Sequence, residues 1–399
     1  MAYVSGRSEQ DPDIATGHST RPLRVLQLGP AFERGGIQRH ILDLTDHLRD
    51  RGHHVELGGP PGPWGQEGRD VGFHALDLKR VSEDEGLSMM RRLGAAVGCA
   101  QKLRKIVARG RFDLVHSHET APALVARLAL AGQPTRRLFT FHGSTPERYG
   151  GVARSAQFAA HVTACPSHKT LDALIDRGLP RARTAQLGLG VPPPPDQDPA
   201  AVLALRQELL RDEKGVLIFS PARLDPQKGI DLMIDVLARL VKERRDIVLA
   251  LAGHGPLEDV ISGWIASAGV SENIRVLGPI DTVPLHMAAA DCMLLTSRWE
   301  ALPISIVEAF HAGLPVIATD CGGVSELVSE QVGRLCPVGD AEGLTAAVLE
   351  LAGNEELRRE LGSNARALAR EDRFDPTRVH ERIEQIYRQM LDKAAWQSA

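Results

Sequence analysis

The chain has 399 residues, which allows two or three domains; 43% are hydrophobic, enough to bury two sizeable cores, and 25% are charged, as in an ordinary soluble protein. Its 47 basic and 51 acidic residues leave a net charge of −4, which lacks the basic excess of a nucleic-acid binder. Aromatic residues are only 4%, too few for single-strand stacking platforms or a tryptophan-rich sugar cleft.

Residues 1–20 are polar and lack an apolar core segment, so they read as a disordered tail and not as a signal peptide. Order begins at RPLRVLQLGP, with a strand over Val25 to Leu28. GGIQRHILDLTDHLRDRGH then carries apolar residues at helical spacing and closes at Gly52. VELGG and GFHALDL are the next strands, and a helix is predicted over Gly86 to Arg109. FDLVHSH, RRLFTFHG, HVTACPS and TAQLGLG follow as strands, with APALVARLALAG and HKTLDALIDRG as helices. This alternation is the pattern of a parallel sheet with crossover helices.

Four prolines at 192–195 interrupt it and mark a stiff linker. The alternation restarts with GVLIFSPARL (strand), DLMIDVLARLVKE (helix) and DIVLALAG (strand). NIRVLG, ADCMLLTS and PVIATD are further strands. The expected architecture is α/β: two Rossmann-like, doubly wound parallel-sheet domains facing an interdomain cleft. They would occupy 21–191 and 200–375, with 192–199 as linker and 376–399 as a final helix crossing back to the first domain.

Four groups of residues could carry chemistry. Gly35 and Gly36 join the first strand to its helix, where backbone N–H groups can meet an anion; a plain tight turn is the alternative. Arg223 and Lys228 flank a helix start and suit a diphosphate, or else form a solvated basic loop. Glu300 precedes a helix opened near Pro303, and Glu308 lies within it. Such carboxylates accept hydrogen bonds from sugar or ribose hydroxyls. His116, His118 and Glu119 have metal-ligand spacing, but a cleft-edge loop with one histidine on substrate is favoured; His142 ends a separate strand.

The five cysteines, Cys99, Cys165, Cys292, Cys321 and Cys336, are widely spaced with no C-x-x-C, so neither a disulfide framework nor a zinc site is expected. A reducing cytoplasm fits them. No run of about 18 apolar residues occurs. Lys102, Arg104, Lys105, Arg109 and Arg111 sit beside Leu103, Ile106 and Val107. This basic helix over 97–111 could touch an anionic membrane face or could simply pack on the sheet.

Taken together, R-x4-K (Arg223, Lys228), E-A-L-P-x4-E (Glu300 to Glu308) and G-L-P-V-I-A-T-D-C-G-G (313–323) resemble glycosyltransferase family 4. GGIQRH, VHSHE, TFHG and AGHGP match family positions in order, and the resemblance spans about 22–393. It implies a GT-B fold and a retaining enzyme moving a hexosyl group from a nucleotide sugar, a UDP-sugar first and GDP-mannose second. The acceptor would be a sugar or lipid-linked hydroxyl, in glycan or glycoconjugate synthesis. It further implies that Arg223 and Lys228 bind the donor diphosphate, with Gly36 beside Gly35 against the phosphate. Glu308 would hold the ribose, and Glu300 the transferred sugar, near the backbone of Ala301, Leu302 and Pro303. Gly253 and Gly255 would border the nucleotide, and His142 the sugar. Ala301 stands where the family often has glycine. No cofactor or metal is expected, because D-x-D occurs only at Asp11/Asp13 and Asp196/Asp198, away from core strand ends. The alternatives are a GT-B nucleotide-sugar 2-epimerase, which would need no acceptor, and a non-catalytic GT-B partner subunit, which would have lost these anchors.

Overall fold

The computed structural model describes residues 21–32, 35–62, 70–81, 88–210 and 215–392; the 1–20 segment with Asp11 and Asp13, and the last residues of the 376–399 stretch, lie outside them. The first domain contributes strands β1 Arg24–Leu28, β2 His54–Gly59, β3 Phe73–Ala75, β4 Leu114–His118, β5 Arg136–Thr140, β6 Val162–Cys165 and β7 Thr184–Gln186. The second contributes β8 Val216–Pro221, β9 Ile247–Ala252, β10 Ile274–Gly278, β11 Cys292–Leu295, β12 Val316–Thr319 and β13 Gly333–Cys336. Among the described residues these form two sheets, ordered β3-β2-β1-β4-β5-β6-β7 and β10-β9-β8-β11-β12-β13. Every pairing is parallel; Val25, for example, pairs with Val55 on one side and Leu114 on the other.

The strands are apolar on both faces because helices cover both faces. Leu217 and Phe219 of β8 join one core, while Val216 and Ile218 join the core on the opposite side, the period of two expected of a strand. The helix Ile230–Glu243 turns Ile230, Met233, Ile234, Leu237 and Leu240 inward. Each such burial contributes about 2 kcal/mol. Strand order reverses between β1 and β4 and again between β8 and β11. The loops diverge at such switch points and open a crevice beyond the strands' carboxyl ends.

Several elements were not read from the sequence, among them the helix Glu258–Ala268 and three more. The helix Tyr149–Ala159 is rich in Ala and Gly, and β13 is only four residues long. The helix Pro199–Leu209 starts directly after the proline run. Pro199 occupies its first turn, and the Asp198 carboxylate accepts from the Ala200 N–H at 3.1 Å, so half of one D-x-D is a helix cap.

The chain crosses between domains twice, side by side. Leu189 and Val191 donate backbone hydrogen bonds to the carbonyls of Arg373 and Phe374 at 3.0 and 2.9 Å. Gly188 and Gly190 permit this approach, since a Cβ at either would stand 2.7 Å from backbone of the returning segment. The helix Pro376–Leu391 then lays Val379, Ile383, Tyr387 and Met390 against Val25, Leu44 and Leu138 of the first domain.

Candidate active site

The second domain supplies a charged wall at the carboxyl ends of β8 and β11. The loop after β8 carries Arg223 and Lys228; the loop after β11 carries Ser297 and Glu300. Four hydrogen bonds lace the loops together: Thr296 Oγ1 to the carbonyls of Lys228 and Gly229, Arg298 N–H to the Gln227 carbonyl, and Gln227 Nε2 to the Trp299 carbonyl. Gly229 has φ +61°, and a Cβ there would meet Thr296 O at 2.2 Å. Glu300 is 6% exposed. Its carboxylate takes the Lys228 ammonium as ion-pair partner and accepts from Ser297 Oγ at 2.7 Å. Arg223, by contrast, has a side chain 68% exposed, with its Nε 3.2 Å from Asp225. Its remaining donors face solvent-accessible space.

Glycines press this wall into shape from behind. A Cβ at Gly322 (φ +53°) would sit 1.8 Å from Glu300 O, and one at Gly323 would sit 2.2 Å from Ala301 O. Gly323 N–H also donates to Ala301 O at 2.9 Å. Gly253 and Gly255 lie against the backbone of Ala222 and Leu224, packing the loop that holds Arg223. Glu308 sits in the helix Ile304–Ala312. Burial holds its carboxyl above the usual carboxylate range, opposed by Arg39 of the first domain. Pro303 has no N–H, so within the Ala301–Leu302–Pro303 group only Ala301 and Leu302 can donate backbone hydrogen bonds.

The first domain supplies a wall whose buried rings are neutral, with the charged Arg39, Glu119 and Lys169 around them. Gly36 faces Ile304, and Gly143 faces Ala301; an added Cβ would stand 2.9 and 2.7 Å from them. The Ala301 methyl therefore fits against a position that has no side chain. His142 N–H donates to Glu119 Oε1 at 3.0 Å. His116 and His118 are fully buried within β4 and do not lie on a cleft-edge loop, so neither presents itself to a substrate. His116 contacts Tyr387 OH and Thr140 Oγ1, both at 2.7 Å. His118 contacts Gln27 and His142, both at 3.1 Å. Burial pushes the pKa of each of these rings well down, and that of His40 to about 4. Both nitrogens of His116 and of His118 are spent on neutral partners, and His142 engages His118 through Nε2. Among the described residues no group of His, Cys, Asp or Glu side chains could hold a metal ion.

The structure thus brings Arg223, Lys228, Glu300 and Ala301 together, with Gly36, Gly143 and His142 opposite. Sequence reasoning missed Ser297, Gln227, Gly229 and the latch residue Glu326. The Glu326 carboxylate accepts from Ser167 Oγ and from the N–H groups of His168 and Lys169 at 2.6, 3.0 and 2.7 Å, pinning the amino end of a first-domain helix to the second domain. Only the G-G pair ahead of it hinted at such a turn.

A cavity of about 310 Å³ lies between the domains, lined by Tyr149, Lys169, Trp299, Glu300 and Asp320. A larger hollow of about 550 Å³ sits at the opposite end of the second sheet, around Arg206, Asp291 and Arg358. There Arg206 binds Asp291 and the carbonyls of Ala289 and Gly215, so the hollow is a structural network away from the cleft. All five cysteines are buried and free, and burial raises every thiol, Cys292 and Cys321 to about 12, which excludes a ready thiolate nucleophile. Of the basic helix, Leu103 and Val107 are buried and Lys102 and Arg104 bind backbone carbonyls, while Met89, Met90, Leu93 and Val97 are exposed at its other end. Among the described residues no helix is long and apolar enough to cross a membrane.

Comparison with known proteins matches two stretches of the chain to two family descriptions. The family described as Glycosyltransferase Family 4 matches residues 34–193, and that described as Glycosyl transferases group 1 matches residues 203–368. A phosphatidyl-myo-inositol mannosyltransferase of Mycolicibacterium smegmatis is 28% identical over 369 residues, covering 88% of this chain and 90% of that protein. An N-acetyl-alpha-D-glucosaminyl L-malate synthase of Bacillus anthracis is 24% identical over 361 residues, covering 88% and 92%. Among solved structures, Anabaena HepE in complex with UDP and glucose superposes with a TM-score of 0.76 at 22% identity, covering 91% of this chain and 99% of that one. That likeness establishes the GT-B fold.

Proposed function

The chain belongs to glycosyltransferase family 4, the group 1 glycosyl transferases that move a sugar from a nucleotide-sugar donor, and from that premise we propose a retaining, metal-independent hexosyl transfer to a hydroxyl acceptor. The observation that carries the reading is the Lys228–Glu300–Ser297 unit, buried at the β8/β11 switch point beside the exposed Arg223 and opposite Gly36 and His142. Breaking the anomeric C–O bond leaves negative charge on the nucleoside diphosphate. Lys228, held by Glu300, and the open Arg223 beside it would stabilise that charge electrostatically. Glu300 exchanges Lys228 for hydroxyls of the transferred sugar, and Glu308 accepts from the ribose. The acceptor oxygen bonds to the anomeric carbon on the face the phosphate leaves, and its proton passes to the departing phosphate oxygen.

The donor is a UDP-sugar, with GDP-mannose second. The acceptor is a sugar or lipid-linked hydroxyl, reached at a peripheral membrane contact through 97–111 and the exposed Met89, Met90 and Leu93. A thermal-shift panel of UDP-, GDP- and ADP-sugars, with and without divalent metal, tests the donor, since a ligand of the folded state raises the midpoint. No shift with any nucleotide sinks the reading. NMR of the product tests retention: an inverted anomeric configuration rules out the same-face mechanism. Co-sedimentation with anionic vesicles tests the membrane contact.

A further inference from the structure

Behind His142 runs a line of buried polar side chains that the transfer chemistry leaves unused. It begins at a backbone carbonyl, which can only accept. Thr45 Oγ1 donates to Ile41 O at 2.7 Å. Gln27 Nε2 donates to Thr45 Oγ1 at 2.7 Å and approaches the same carbonyl at 3.4 Å. That orients the amide, because a flipped Gln27 would turn its oxygen toward an acceptor. Gln27 Oε1 therefore faces His118 Nε2 at 3.1 Å, and that nitrogen must carry the proton. A neutral imidazole has only one N–H, so His118 Nδ1 is an acceptor. It takes the Nε2–H of His142 at 3.1 Å. Gln27, Thr45 and His118 are fully buried, which excludes water from the line.

The backbone at the end of the line is also held. Glu119 has φ +77° and ψ 166°, a region almost reserved for glycine, costing about 1–3 kcal/mol. Its carboxylate takes the His142 N–H. Strain of this size persists only where the surrounding structure over-determines the conformation, and here it fixes the residue whose ring ends the line.

We propose that the Thr45–Gln27–His118 relay locks His142 as the Nε2–H tautomer, making its Nδ1 an obligate hydrogen-bond acceptor for a ligand hydroxyl, with Gln27 and His118 as positioning residues. This rests on the transferase reading for the identity of the ligand, but the tautomer itself does not. A site that needs an acceptor loses selectivity when the ring can flip tautomer, because the other form presents N–H to the ligand's own donor. The buried rings of His40 and His116 face this line without supplying charge, since burial keeps both neutral.

The experiment is ¹⁵N-imidazole NMR of the full chain without nucleotide. The expected result is the Nε2–H tautomer for both His118 and His142. An Nδ1–H His142 in the wild type overturns the proposal and needs no variant. Gln27→Met should release His142 to a mixture of tautomers and lower kcat/KM about tenfold, the effect of one hydrogen bond to a neutral group. Unchanged tautomers, or unchanged kcat/KM, in Gln27→Met would also overturn it. If the tautomers are as stated and no nucleotide sugar is turned over by the wild type, the transferase reading fails while the relay stands.

Discussion

The two walls of the cleft are built on opposite electrostatic terms. The second-domain wall buries an ion pair, Lys228 with Glu300, and leaves the Arg223 guanidinium open beside it. The first-domain wall buries His40, His116, His118 and His142, all driven neutral by their surroundings. A charged wall is held by mutual attraction and fails when one partner is removed. A neutral wall is held by rings that carry a single proton each and fails when falling pH adds the second. The same fold, repeated in one chain, can therefore present fixed charge on one side and fixed hydrogen-bond polarity on the other.

The largest expected effect separates the walls directly. Lys228→Ala should cut sugar transfer about 100- to 1000-fold. It also leaves Glu300 buried with only Ser297 and Gln227, at a cost of about 3 kcal/mol. Initial rates and urea unfolding check both, and near-normal transfer would reduce the charged wall to scaffolding.

Lowering the pH attacks the other wall. Below 6.5 the unfolded chain protonates histidines that the folded chain keeps neutral, so it binds more protons and unfolding is favoured. Stability is full above about 6.5 and declines toward the pKa of about 4 that burial gives His40 and about 3 for His380. Each such histidine contributes a slope of about 1.4 kcal/mol per pH unit. A Tm that stays flat from pH 7 to 5 would contradict the buried neutral cluster.

Gly322→Ala tests whether the charged wall depends on its backing. The new Cβ falls on Glu300 O at a positive φ, so a loss of about 2 kcal/mol is expected by denaturant titration. The smallest effect tests the join between the walls. Glu326→Gln keeps an oxygen for the helix end but removes its charge, and should raise the donor KM a few-fold with little change in Tm. Small-angle scattering should show a broader domain distribution; an unchanged KM would show that the latch does not set the cleft.

The charged wall was largely legible in the sequence because its residues lie in two short motifs with fixed spacing, each following an apolar strand. Arg223, Lys228, Glu300 and Glu308 could be named for that reason. Ser297 and Gln227 sit inside the same segments but carry no spacing of their own; Ser297 meets Glu300 within its own loop, while Gln227 meets Trp299, 72 residues away and beyond any local pattern. The neutral wall was barely legible. His116 and His118 looked like possible ligands or cleft-edge residues, and only burial against Gln27, Thr140 and Tyr387 decided otherwise. Its residues come from β1, β4, the end of β5, the first helix and the final helix, so no window of sequence contains them.

The sequence alone determined the periodicities, and with them two parallel sheets, the crossover helices and the motif-bearing loops. These follow from local steric preference and from which residues must leave water. Only the tertiary structure decided which polar groups meet in the interior, where Gly322 backs Glu300, and which buried ring His142 Nε2 meets. Those depend on the packing of segments far apart in the chain. A buried donor or acceptor is defined by its partner, and the partner exists only after folding.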